Sequence, residues 1–174
     1  VDVLFAKWQI LVNTVDITDG NNSTVSFTPV MDANTNVANN VIAPTSKGHF
    51  DINIDPSNVD VSFKYDISLS VANENAPDIK ITGYSLVPVG YVEGNSLEVL
   101  PINNNLISNN LVFDKLTENF KFSNTTIRVY FEWYEGENEL MNDEADTTAG
   151  INAANGINSN IVMNANITFE QLID

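Results

Sequence analysis

Apolar residues recur at every second position over much of this 174-residue sequence. In the segment 49–55, Phe50, Ile52 and Ile54 alternate with acidic and amide residues. Successive side chains of a β-strand point to opposite faces of a sheet, so this alternation predicts a strand with one buried face. The same signature is present in residues 24–30, 59–71, 79–87, 125–134 and 160–169.

Shorter apolar segments and turn residues complete the pattern. We expect short strands at 97–100 and 106–113, and a turn at Pro56 that leads from strand 49–55 into strand 59–71. Clusters among the 27 asparagines are typical of loop tips, because asparagine tolerates left-handed backbone conformations. Residues 116–122 are compatible with a short helical turn, and the polar stretch 135–159 is predicted to be a long loop.

These elements predict an all-β fold. Eight to ten strands with almost no helix indicate an antiparallel two-sheet sandwich. The number and length of the strands favour the jelly-roll type, and an immunoglobulin-like sandwich is the second choice. We expect one domain, since 174 residues lie within the usual range for a single domain.

The first twelve residues are mostly apolar, and their apolar positions shift from one alternation to the other within the run. Leu4, Ala6, Trp8, Ile10 and Val12 follow one alternation, whereas Val1, Val3 and Phe5 follow the other. The change of phase suggests two burial environments. Two interpretations follow: a first strand within its own sheet, or an end that pairs with another chain, since exposed strand ends invite such pairing.

The charge balance excludes some partners. The chain has 23 acidic and 7 basic residues, a net charge of −16 and a pI of about 4.1. Nucleic acid is a poor partner, because phosphate binding relies on clustered Lys and Arg. An anionic membrane surface is equally unsuitable, and no apolar run approaches the length that would span a bilayer. The chain has no cysteine and therefore no disulfide.

The residues give no support for catalysis. His49 is the single histidine, and we expect it at the surface at the start of a strand. Neither a His-Glu-x-x-His metal motif nor a Gly-x-Ser-x-Gly nucleophile motif is present in the sequence. We therefore predict that the chain is not an enzyme and has no catalytic residues.

Two chemical hypotheses remain for charged residues. Calcium prefers closely spaced oxygen ligands, which Asp143, Asp146 and Glu139 could supply, although a solvated acidic loop explains the same residues. No other cofactor is expected. Lys7 lies in the apolar opening run, and burial would make its amine nucleophilic enough for an isopeptide bond with an asparagine. The alternative is that the Lys7 side chain simply extends to water.

Several segments carry a family resemblance when they are taken in order: Leu4-Phe-Ala-Lys-Trp8-Gln-Ile, the turn and strand 41–54, the strand 59–71, Phe131-Glu-Trp-Tyr-Glu135, residues 142–147 with Gly150, and Ile167-Thr-Phe-Glu-Gln171. Together they resemble the TasA/camelysin-like proteins of Gram-positive bacteria, which are exported with a SipW-type signal peptide. The sequence departs from that pattern at Thr45, where a glycine is usual, so the turn there is expected to differ in backbone shape.

The resemblance implies an extracellular structural subunit, in mature form, that polymerises by donor-strand complementation into pili or biofilm-matrix fibres. Residues 1–7 would form the donor segment, and residues 8–174 a single jelly-roll domain. The donor strand would use Val1, Val3, Leu4 and Phe5, and the partner would be another copy of the chain. The alternative is a monomeric secreted or cell-surface binding module, such as a calcium-dependent adhesin that uses the loop 135–159.

Overall fold

The computed structural model of the chain describes residues 2–18, 24–71, 79–112, 122, 124–134, 143–156 and 161–173. Within these residues there are ten β-strands and one helix. In chain order the elements are β1 (Trp8–Val12), β2 (Val15–Asp16), β3 (Thr24–Phe27), β4 (Val30–Met31), β5 (Lys47–Val59), β6 (Phe63–Val71), β7 (Ile79–Val87), β8 (Leu106–Leu111), β9 (Thr125–Trp133), α1 (Asp143–Ala154) and β10 (Met163–Gln171).

The strands form two sheets in which every pairing is antiparallel. The first sheet has the order β2-β1-β5-β9-β7, with β4 also paired to β5. The second sheet has the order β3-β10-β6-β8. Two antiparallel sheets confirm the all-β, two-sheet prediction.

The core lies between the inner faces of the two sheets. In β6 the side chains of Phe63, Tyr65, Ile67 and Leu69 are at most 4% exposed, while the residues between them are partly or fully exposed. Each such burial contributes roughly 1.5–3 kcal/mol to stability, so the alternating residues determine which face of each strand turns inward. The strands β5 and β10 show a similar alternation, whereas β9 has three consecutive buried residues, Ile127, Arg128 and Val129.

The predicted turn at Pro56 is wrong. The strand β5 continues through Pro56 to Val59, and the chain turns at residues 60–62 instead. The pairing of β5 with β1 shifts register between Gln9 and Leu11, which lie opposite Asn58 and Asp55. A bulge leaves residues out of the hydrogen-bond ladder, so a proline without an N–H is tolerated there.

The loop predicted for residues 135–159 is also wrong in its central part, which forms α1. Acidic residues at the start of a helix are stabilised by its dipole, and Asp143 and Asp146 lie in the first turn. Four alanines favour the helix further, and Gly156 follows its end at φ +72°. Among the described residues, no helix has the length and apolar character needed to cross a membrane.

Smaller differences concern the short elements. Residues 97–100 form no strand and contribute a single bridge, between Leu100 and Tyr84. The predicted helical turn at 116–122 lies outside the described residues except for Phe122. Asn104 and Asn105 have positive φ angles of 54° and 53° at the turn before β8, as the asparagine clusters predict.

Candidate functional site

Residues 2–7 lie outside every strand and are exposed. Val3 and Phe5 are 99% exposed, and Leu4 is 80% exposed. Leaving such side chains in water forfeits roughly 1.5–3 kcal/mol each, and contiguous apolar exposure is typical of interaction sites. Val1, the remaining predicted donor residue, lies outside the described residues.

The segment has a fixed root. The Lys7 amide donates to the Asp60 carboxylate at 2.7 Å, and the Asp60 amide donates to the Lys7 carbonyl at 3.0 Å. The Trp8 ring packs edge-on against Phe63 with the centroids 5.8 Å apart. Residues 2–6 therefore extend from a point that is fixed against the turn between β5 and β6.

The strand that follows belongs to the core of the chain. Ile10 and Val12 are fully buried, and Trp8 packs against the core. This placement confirms that Trp8, Ile10 and Val12 belong to the core of their own chain. Val3 and Phe5 of the other alternation are exposed, but so are Leu4 and Ala6, which share the alternation of Ile10, so the exposure ends where β1 begins and not where the phase changes.

The side chain of Lys7 is exposed. The isopeptide hypothesis requires a buried amine, and the single chain does not supply that burial. The contacts of Lys7 are made by its backbone, which forms two hydrogen bonds with Asp60.

The predicted calcium ligands are only partly described. Glu139 lies outside the described residues, and Asp143 and Asp146 lie in the first turn of α1, where their side chains are not described. In the described portion of the chain, no group of three or more His, Asp or Glu side chains is arranged to hold a metal ion. The calcium hypothesis stays a prediction.

His49 lies in β5, where its side chain is half-buried and its ring centroid is 6.5 Å from that of Tyr130. The strand begins two residues earlier than predicted, at Lys47. His49 therefore lies within a strand on the outer face of the first sheet, beside an aromatic neighbour.

An ion-pair cluster on that outer face was missed by the sequence analysis. Arg128 has an 8% exposed side chain and binds Asp51 through two hydrogen bonds of 2.9 and 3.0 Å. It also binds Glu93 at 2.6 Å, and it lies over the ring of Tyr91. The hydrogen bond from Arg128 lowers the pKa of Glu93, and the two carboxylates raise the pKa of Arg128. The cluster holds the loop after β7 against the sheet.

A signal for this cluster is present in the sequence. Arg128 stands between Ile127 and Val129 in an apolar strand, in the alternate phase that faces outward. Asp51 occupies the matching outward position of β5 and is the cross-strand partner of Arg128. The pairing depends on strand register, which the sequence alone does not specify.

The comparisons with family models, curated proteins and solved structures found no match to this chain.

Proposed function

We propose that the chain is the structural subunit of an extracellular filament and polymerises through its N-terminal segment. In this proposal the sandwich is of the jelly-roll type, and residues 1–7 of one copy act as the donor strand for the next. The observation that carries the proposal is the exposure of Val3, Leu4 and Phe5 on a segment with a fixed root at Lys7.

The geometry of the root supports donation to another copy. Residues 2–6 precede the Lys7–Asp60 pair, are exposed and belong to no strand of their own chain, so they are available to a second copy. A contact in which one copy gives its segment and a second copy receives it is heterologous. Such a contact does not close on itself unless the rotation between copies forms a ring, so it produces filaments.

The favourable and unfavourable free energies of adding one donor segment nearly cancel, so the extent of assembly depends on the protein concentration. Burying the three apolar side chains contributes roughly 1.5–3 kcal/mol each, while ordering the backbone of a free segment costs about 1–2 kcal/mol per residue. These contributions are of similar size. The main-chain hydrogen bonds of an added strand, worth about 0.5–1.5 kcal/mol each, therefore decide the outcome.

Negative-stain electron microscopy tests the proposal. The intact chain is compared with a variant that lacks residues 1–6, at equal concentration and with equal melting temperatures as the control for folding. We expect fibres from the intact chain and monomers from the truncated chain. Monomers from both samples over a range of concentration and salt would contradict the filament proposal.

A further inference from the structure

The connection between β4 and β5 encloses a cavity of about 280 Å³. Every residue that lines this cavity belongs to the segment 31–46, and the structure describes that segment throughout. Sites for small molecules in proteins usually occupy roughly 300–1,000 Å³, so this cavity has the size of a site for one small molecule. We call it the β4–β5 cavity.

The first wall of the cavity is fixed to the first sheet. The Asp32 amide donates to the Lys47 carbonyl at 2.8 Å, and Met31 pairs with Gly48 across the two strands. A Cβ atom on Gly48 would lie 2.7 Å from the Phe131 ring and 3.1 Å from the sulfur of Met31. Because Gly48 has no side chain, Met31 can pack closely against the sheet.

The opposite wall is fixed by the turn Ala43–Ser46. The Ser46 amide donates to the Ala43 carbonyl at 2.9 Å, and the Ala43 amide donates to the Ser46 hydroxyl at 3.1 Å. The turn is tied to β9, since Thr45 donates to the Trp133 carbonyl at 3.0 Å and the Trp133 amide donates to the Ser46 carbonyl at 2.9 Å. Walls that are fixed in advance reduce the entropy lost when a ligand binds.

The polar side chains of the cavity can both donate and accept hydrogen bonds. They are the carboxylate of Asp32, the amides of Asn34, Asn39 and Asn40, and the hydroxyl of Ser46. Within the described part of the chain, the side chains of Asp32, Asn39 and Asn40 have no hydrogen-bond or ion-pair partner. A carboxylate only accepts, whereas an amide donates and accepts, so a ligand rich in hydroxyl groups satisfies both.

Charged ligands fit this lining less well. None of the described residues that line the cavity is Lys, Arg or His, so an anion would have no counter-charge and would face Asp32. An ammonium group could pair with Asp32, but it cannot accept from the asparagine amides. Calcium takes six to eight oxygen ligands, and Asp32 is the single carboxylate in the lining. The lining therefore favours a neutral ligand.

Apolar side chains lie beside these polar groups. Met31 and Val37 line the cavity and are half-buried, and Val41 is 48% exposed. A sugar ring carries hydroxyl groups around its edge and C–H groups on its faces. The apolar side chains can contact the C–H groups while the carboxylate and the amides bind the hydroxyls.

We infer that the β4–β5 cavity is a binding site for one residue of a neutral saccharide, with Asp32 and Asn39 as hydrogen-bonding partners of its hydroxyl groups. This inference goes beyond the proposed function, because the cavity lies within a single chain and does not depend on assembly.

Saturation-transfer difference NMR on the intact chain tests the inference. The method observes the sugar, so it applies equally to monomers and to fibres. The ligands are glucose, galactose, mannose and N-acetylglucosamine. We expect a saturable signal from at least one of them, with a dissociation constant in the millimolar range, because water competes for the same hydrogen bonds. No saturable signal from any of the four sugars would overturn the inference.

Charged derivatives of the best-binding sugar test the preference for a neutral ligand. The corresponding uronic acid should bind at least about fivefold more weakly, because its carboxylate approaches Asp32. The corresponding amino sugar should bind no more tightly than the neutral parent. Tighter binding of either derivative would overturn the neutral-saccharide assignment, and loss of binding in EDTA would overturn direct contact by showing that a metal ion is required.

Two substitutions test the location of the site. Asp32→Ala and Asn39→Ala should each weaken sugar binding by at least about fivefold. Both residues are exposed, so the melting temperatures should not change. Asn36→Ala is the matched control, because Asn36 is an exposed asparagine of the same connection that does not line the cavity. Unchanged binding in the first two variants, or equal weakening in all three, would overturn the assignment to this cavity.

Discussion

Lys7 and Asp60 are joined by two backbone-directed hydrogen bonds. The Lys7 amide donates to the Asp60 carboxylate at 2.7 Å, and the Asp60 amide donates to the Lys7 carbonyl at 3.0 Å. This pair marks where the exposed N-terminal segment ends and the folded sheet begins.

Asp60→Ala is expected to loosen the root of the segment. The variant loses the acceptor for the Lys7 amide, so we expect hydrogen exchange at that amide to be at least about fivefold faster, equivalent to roughly 1 kcal/mol of local opening. Asp60→Asn keeps an oxygen acceptor and is the control. Equal exchange rates in all three proteins would show that this hydrogen bond does not hold the segment.

Thr45→Gly is expected to stabilise the chain. Thr45 has a φ of 72°, a conformation that is costly for a β-branched residue and free for glycine. Relief of this strain should raise the free energy of unfolding by about 1 kcal/mol and the melting temperature by about 2–4 °C. Thr45→Ala keeps a Cβ at the same φ and should give a smaller gain. A glycine variant that melts at or below the temperature of the parent would refute the strain argument.

Asp51→Ala is expected to destabilise the first sheet. It removes two hydrogen bonds from the buried Arg128, so the free energy of unfolding should fall by about 1–3 kcal/mol in denaturant titrations. Asp32→Ala removes the same charge from an exposed position and is the control. Similar losses in both variants would mean that net charge, and not the ion pair, accounts for the effect.

The stability should fall at alkaline pH through Tyr65. Burial is the main reason that the pKa of Tyr65 is raised in the folded chain, above the ordinary value near 10. Above pH 10 the unfolded chain loses this proton while the folded chain keeps it. The contribution of Tyr65 is therefore complete below pH 10 and is lost as the pH rises through the folded pKa. Tyr65→Phe should show a shallower decline in stability above pH 10, and an unchanged slope would contradict this.

Salt should accelerate assembly. Copies with a net charge of −16 repel one another, and the Debye length falls from about 30 Å at 10 mM to about 8 Å at 150 mM ionic strength. We expect light scattering to show faster fibre growth in 150 mM NaCl than in 10 mM NaCl. Growth that is unaffected or slowed by salt would contradict the role of repulsion.

A comparison of two divalent salts separates this screening from calcium binding. Calcium and magnesium chlorides at equal ionic strength should give equal growth rates if screening alone acts. Faster growth in calcium would instead support the hypothesis that Asp143 and Asp146 contribute to a calcium site.

The strands could be predicted where burial alternates without interruption. In β6 the predicted end at Val71 coincides with the observed one, because Phe63, Tyr65, Ile67 and Leu69 alternate with residues that face away from the core. The error at Pro56 arose because a bulge lets a proline stay within a strand, and bulges depend on the partner strand. The helix α1 was missed because its acidic residues were interpreted as cation ligands and not as favourable residues for a helix start.

Some features of the candidate sites could be predicted from the sequence, and others could not. Burial of Ile10 and Val12 follows from the alternation in the opening run, which is a local property of the sequence, but the same alternation does not explain why Leu4 is exposed. The Arg128–Asp51 pair depends on which strands are neighbours, since Arg128 and Asp51 are 77 residues apart in the chain. Strand order and register are set by the whole fold, so this pair could not be predicted from the residues around it.

The most direct measurement of the central claim is sedimentation velocity on the intact chain and on Phe5→Asp. Phe5 is 99% exposed, so the substitution should not change the fold, but it places a charge in the middle of the proposed donor strand. Ala6→Ser is the matched control within the same segment. We predict large polymers from the intact chain and from Ala6→Ser, and monomers from Phe5→Asp. Polymers of equal size from all three proteins would contradict assembly through the N-terminal segment.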